Sequence, residues 1–273
     1  MSTALALDRP PEKASTFRPP RLIHAELLKL RKRRGLVATV TAMTIGAAVV
    51  LYGVLVALHA ANPAHHGPAG GVTNLGHAVF LLGALGTVAA IIVGASAGAD
   101  DLNAGVFREL VVTGRSRWSL FWARIPGGLI FLLPFVVVAY ALTAVASVGF
   151  AGSLAAPSTT LLVESGIFLL GEVALGFVLA LGLASLLGSR AQTVGILLAF
   201  RLALTPLILS ITFLGSSREA IFGAAFDRLS PRAILDSGRP QVGMSLTAAI
   251  VVLALWTAIP LAVGAWRTAT RDA

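Results

Sequence analysis

The chain has 273 residues and a formal charge of +9, with 56% hydrophobic and only 12% charged residues. Its mean hydropathy of +0.87 is more than a soluble core needs, since soluble domains carry about 25% charged residues. The sequence has no cysteine, which excludes disulfides and thiolate metal sites. The positive charge does not mark a nucleic-acid binder: nine bases, Arg9, Lys13, Arg18, Arg21, Lys29, Arg31, Lys32, Arg33 and Arg34, gather just ahead of the first apolar run. That placement is a membrane-topology signal.

Residues 1–20 are polar and proline-rich and read as a disordered cytoplasmic lead-in, unlike the apolar core of a signal peptide. From Arg21 to Arg34 an interfacial helix is predicted. Ile23, Leu27 and Leu30 line one face, with Leu28 beside it, while Arg21, His24, Lys29, Arg31, Lys32, Arg33 and Arg34 are expected to reach lipid phosphates. Glu26, its acid, is expected to be solvated or paired with a neighbouring base. Contact of this helix with a cytoplasmic partner is the alternative reading.

Between Gly35 and Ala99 there is no Asp, Glu, Lys or Arg. At about 1.5 Å per residue, roughly 20 apolar residues cross a bilayer core. The window predicts an all-α bundle with spans at about 36–59, 77–98, 125–150, 161–188, 193–214 and 245–266, making residues 21–273 one transmembrane domain. An even number of spans puts both termini on one side. Arg108, Arg115, Arg117, Arg124, Arg190, Arg267 and Arg271 join the N-terminal bases there, so that side is expected to be the cytoplasm of a cell-membrane protein. The stretch Gly215 to Met244 is the exception, with Arg218, Arg228, Arg232 and Arg239 against Glu219, Asp227 and Asp236. Ile221, Phe222, Ala225, Phe226 and Leu229 fall at helical spacing within it, and Ser230-Pro231 suits the start of another helix ending near Gly238. Two short helices at, or dipping into, the outer interface are expected, or else an ordinary structured loop.

Small residues recur every fourth position in two spans, Gly86, Ala90, Gly94 and Gly98, and Gly176, Ala180, Ala184 and Gly188. Such stripes let helix backbones approach closely, within one chain or between chains. Glu172 and Arg201 are placed deep enough in the fourth and fifth spans to meet near mid-membrane, as a structural pair or as a pair touching a substrate or ion.

No catalytic site is expected. Gly94-Ala95-Ser96-Ala97-Gly98 fits a nucleophile pattern, but His59, His65, His66 and His77 sit at the far end of the bilayer and His24 on the basic helix. The outer histidines lack the fixed spacing of metal ligands. Lys13, Lys29 and Lys32 are the chain's lysines and none follows a glycine, so no phosphate-binding loop is present and energy from ATP would have to come through another polypeptide. No cofactor is expected.

The loop after the second span runs Asp100-Asp101-Leu102-Asn103-Ala104-Gly105-Val106-Phe107-Arg108-Glu109-Leu110-Val111-Val112-Thr113-Gly114-Arg115-Ser116-Arg117. Phe107, Leu110 and Val111 form an apolar edge on an otherwise charged short helix, suited to docking in a groove. Asp101, Gly105, Leu110, Val111, Ser116, Arg117 and Arg124 resemble the coupling-helix region of the ABC-2 type transporter permease family, with Val106 where a threonine and Gly114 where a proline is usual. The basic Glu26 to Arg34 helix, the Arg271-Asp272 ending and the six-span layout are also similar to that family. The resemblance implies a non-enzymatic transport subunit that works with a second permease, such as an identical copy, and with two cytoplasmic ATPase subunits. Asp101, Gly105, Phe107, Arg108, Leu110, Val111 and Arg117 would couple to the ATPase, and Glu26, Lys29, Arg31 and Arg33 would belong to an inner lever. Export of an amphipathic or hydrophobic cargo, a drug or antibiotic, follows as the expected function. The competing readings are an ion- or proton-coupled secondary transporter working through Glu172 and Arg201, and a membrane scaffold or immunity factor without turnover.

Overall fold

A computed structural model describes residues 19–105, 116–234 and 243–270. Among them every regular element is helical. Helix α1 spans Pro19–Arg31, α2 Arg34–Ala61, α3 Gly71–Asn103, α4 Arg117–Gly149, α5 Thr159–Leu187, α6 Arg190–Ser210, α7 Phe222–Leu229 and α8 Leu246–Thr270. Six of these, α2 to α6 and α8, are long and apolar enough to cross a membrane, so the chain is an all-α multi-pass membrane protein.

The helices overrun the expected spans because hydropathy marks the lipid-matched middle, whereas backbone hydrogen bonding continues into the polar flanks. Helices α3 and α4 each have 33 residues, about 50 Å of helix against a hydrocarbon core of about 30 Å. Two boundaries change the picture. Arg124, expected in a loop, lies inside α4 and is 1% exposed. Helix α6 stops at Ser210 rather than Leu214, because Ile211 turns to an extended conformation before a 3-10 helix over Thr212–Ala220.

Helix α3 is the central post, packed against α5, α4, α2 and α6. The two small-residue stripes meet each other inside this one chain. A Cβ on Gly86 would fall 2.9 Å from Val173 Cγ2, one on Gly94 2.5 Å from the Phe177 carbonyl oxygen, and one on Gly98 2.7 Å from that of Leu181. Gly176 faces Thr87 and Ala90 in return. In lipid, where apolar surface has no preference for protein over acyl chain, such close approach is what binds helix to helix. Gly188 leaves the stripe: with φ of 70° it caps α5 in the left-handed region and permits the short turn into α6.

Helix α7 is the first of the two short helices expected in the outer stretch. It is packed into the bundle rather than laid on its surface, with Phe222, Ala225 and Phe226 buried against α8 and with Phe168 of α5 5.7 Å from Phe226 between ring centres. Trp256 Nε1 donates to the Ala220 carbonyl at 2.8 Å, tying the start of this re-entrant segment to the last span, and Arg228 Nε donates to the Met244 carbonyl, just ahead of that span, at 2.8 Å. Of the second expected helix, a 3-10 turn at Arg232–Ile234 is described, and residues 235–242 lie outside the described residues.

Candidate functional site

Two charge clusters stand out. The first is at the end of the bundle where α1, the end of α3 and the start of α4 meet, the basic end. The apolar run ends in Asp100-Asp101 at the last turn of α3, and two carboxylates beside an apolar bundle need cations. Lys29 Nζ donates to Asp101 Oδ1 at 3.0 Å and Oδ2 at 3.1 Å. Arg124 Nη2 reaches Oδ2 from α4 at 2.9 Å. Lys29 also pairs with Glu26 at 2.6 Å, one turn earlier on α1, and Arg33 pairs with Asp100. Three carboxylates thus face three cations. Arg124 Nη1 and the Ser185 hydroxyl both donate to the Gly98 carbonyl, at 3.4 and 3.5 Å, which ties α5 to the same point.

Helix α1 seats against α4 because Gly127 leaves room: a Cβ there would be 2.7 Å from Glu26 Cβ. Leu22 and Leu30 are buried, and Ile23 and Leu27 pack beside them. The apolar face is therefore as expected, but the expectation that Lys29 and Arg33 reach lipid phosphates is corrected. Both turn inward, because a buried carboxylate holds a cation more strongly than a headgroup in high-dielectric water. Arg21, His24, Arg31, Lys32 and Arg34 stay exposed.

Of the residues assigned to coupling, Asp101 lies at this junction, facing the bundle. Gly105 follows it in a turn with φ of 69°. Phe107, Arg108, Leu110 and Val111 lie outside the described residues. Arg117 opens α4, and its Nη1 donates to the Ala269 carbonyl near the end of α8 at 3.2 Å. Asp100, which was not singled out from the sequence, and Arg124, which was placed on the coupling pattern but in a loop, carry as much of the cluster as Asp101. The signal for them was the end of an uncharged run: acids placed there must be answered by bases from neighbouring helices.

The second cluster is inside the membrane. Arg201 Nη2 donates to Glu172 Oε1 at 2.5 Å, joining α6 to α5 as the depths of the two residues predicted. The side chains are 21% and 8% exposed. Arg201 sits in a π-helical turn, Phe200–Leu204, followed by Pro206. A π turn shifts the register of the side chains, and such turns gather at functional sites. Gly83 of α3 faces the Glu172 carboxylate.

Ser96 is 2% exposed, and its hydroxyl donates to the Ile92 carbonyl at 2.8 Å, as for a residue of a packing stripe. His59 Nδ1 is hydrogen-bonded to the His66 carbonyl at 2.7 Å. Among the described residues no three His, Cys, Asp or Glu side chains are grouped to hold a metal. No protein-family model matches the chain, and no curated protein matches it in sequence.

Proposed function

We propose that this multi-pass protein is the permease subunit of an ATP-driven exporter of the ABC-2 type, moving an amphipathic or hydrophobic cargo across the cell membrane. Its basic end would face the cytoplasm, where nine Lys and Arg precede the first span. The observation that carries the reading is the three-helix junction at Asp101, where one carboxylate at the end of α3 is bonded to Lys29 of α1 and Arg124 of α4. Force applied to the turn after Asn103 reaches three helices together, and the α3–α5 stripe passes it to the span that bears Glu172. A subunit driven from outside needs such a stiff input, and with no phosphate-binding loop in the sequence the ATP hydrolysis of this reading belongs to another chain. Two cytoplasmic ATPase subunits and a second permease, an identical copy in the simplest assembly, complete the machine. The residue pattern at 101–124 supports this, as does the apolar character of the spans, which suits a drug or antibiotic better than a strongly ionic cargo.

The test is reconstitution in vesicles with the ATPase that copurifies with the chain. ATP-dependent cargo accumulation that disappears when that ATPase is left out upholds the proposal. Transport by this chain alone, driven by an ion gradient, would overturn it in favour of a secondary transporter. A specific observation favours that second reading: the Glu172–Arg201 pair sits beside an irregular turn in the middle of a span, and transporters place coupling sites at broken helices.

A further inference from the structure

Between α3, the second half of α6 and the re-entrant α7 lies a cavity of about 380 Å³. Phe80 and Ala84 of α3 and Leu209 of α6 supply apolar wall, and Arg201, Thr205 and Asp227 supply polar atoms. Phe80 is 50% exposed, and Leu202, which also lines the space, 60%. The mouth therefore opens on an exposed face of the bundle. Gly223, which also lines the space, lets α7 pack directly on α6, since a Cβ there would stand 2.6 Å from Thr205 Cγ2. The π turn carries Arg201 to the cavity wall while its Nη2 stays on Glu172.

The lining restricts the chemistry of an occupant. Apolar walls call for an apolar body. A guanidinium has five N–H donors and no acceptor, and Arg201 lines the cavity with one Nη on Glu172. The occupant's polar group is therefore an acceptor. Glu172 already neutralises Arg201. A negatively charged head would bring a further anion against one cation at low dielectric, whereas an uncharged oxygen would not.

We propose that this cavity is a binding site, open at that exposed face, for an apolar molecule that ends in an uncharged carbonyl, such as a ketone, ester or amide, whose oxygen accepts a hydrogen bond from Arg201. The site deepens the exporter reading by naming the cargo's chemistry and rests on that reading only for the occupant's being cargo, since binding requires no ATPase.

The experiment is photolabelling of the full chain in lipid nanodiscs with one ten-carbon diazirine chain ended three ways, as methyl ester, as carboxylate and as plain alkane. Labelled peptides are mapped by mass spectrometry. The ester labels the segments around Phe80 and Leu209 about two- to twelvefold more than the alkane, the factor that one net hydrogen bond supplies. In the double variant Arg201→Met with Glu172→Gln the ester-to-alkane ratio falls to about one while alkane labelling persists, as expected for loss of a single such bond. Ala84→Trp, which leaves the ion pair intact and fills the cavity, lowers labelling by all three, and it serves as the check where the double variant does not fold. Equal labelling by ester and alkane, strongest labelling by the carboxylate, or no effect of Ala84→Trp overturns the site. Selective labelling without ATP-driven transport would keep the site and remove the exporter, and ATP-driven transport without selective labelling would do the reverse.

Discussion

Glu172 occupies the space that a side chain at Gly83 would need: a Cβ on that glycine would stand closer to Glu172 Oε2 than real Cβ atoms approach any neighbour. Gly83 lies one turn before Gly86, on the face of α3 that meets α5, so the packing stripe ends in a notch shaped for a carboxylate. The notch lets α5 press a charged residue against α3 and hold it on Arg201 at 2.5 Å.

Gly83→Ala should therefore act through the ion pair. The methyl group pushes the carboxylate off Arg201, and the cost is on the order of 1–3 kcal/mol, the range for overpacking a tight interior. In a Glu172→Ala background the same methyl group meets empty space and should cost only a few tenths of a kcal/mol, within the range of independent sites. Thermal unfolding of the four proteins in detergent measures the difference. Equal costs in both backgrounds would mean that the notch has no link to the pair.

The pair itself is predicted to matter by halves. Removing one partner leaves an uncompensated charge in lipid, about 3–5 kcal/mol in buried pairs, so Glu172→Gln and Arg201→Met should each lower the melting temperature strongly. The two together should recover most of the loss, because neither charge is left without its partner. A double variant less stable than either single one would show that the charges serve separate neighbours.

Position within the stripes sets a third expectation. At Gly94 a methyl group would meet backbone, the Phe177 carbonyl oxygen at 2.5 Å, while at Gly176 it would meet the Thr87 Cγ2 at 3.2 Å. Backbone in a packed helix yields less than a side-chain methyl, so Gly94→Ala should destabilise by about 1–3 kcal/mol and Gly176→Ala by clearly less. Denaturation in mixed micelles orders them, and a larger loss at Gly176 would contradict the packing described.

These expectations show which parts of the molecule the sequence displays. The charge-free run from Gly35 to Ala99 and the four-residue spacing of Gly86 to Gly98 are local patterns with one physical reading each, so the spans and the stripes were legible. Glu172 and Arg201 were legible together because depth in a bilayer is simply residue count times rise. That the two stripes face each other within one chain was not legible, since the spacing is the same for a partner in a second chain. The direction of Lys29 and Arg33 was not legible either. On a basic interfacial helix each cation reads as facing lipid, and only the arrival of Asp100 and Asp101 some 70 positions later in the chain turns these two inward.

That arrival leads to the most consequential expectation. Asp101 is a buried carboxylate holding two cations, of which Arg124 is 1% exposed and Lys29 more open at 26% of its side chain. Asp101→Asn leaves Arg124 charged and unanswered inside the bundle, so it should cost about 3–5 kcal/mol, whereas Asp100→Asn loses only the pair with the half-open Arg33 and should cost about 0–1 kcal/mol. Replacing both members, Asp101→Leu with Arg124→Met, removes the stranded charge and should restore most of the stability. Under the proposed function the restored protein would still be impaired, because α1, α3 and α4 would no longer move as one body. Its ATPase partner would then hydrolyse ATP at a near-normal rate with little cargo transported. Measuring melting temperature, ATP turnover and transport on the same reconstituted preparations separates the two roles: stability and transport recovering together would make Asp101 a structural residue only, while stability recovering without transport would make it the joint through which the bundle is driven.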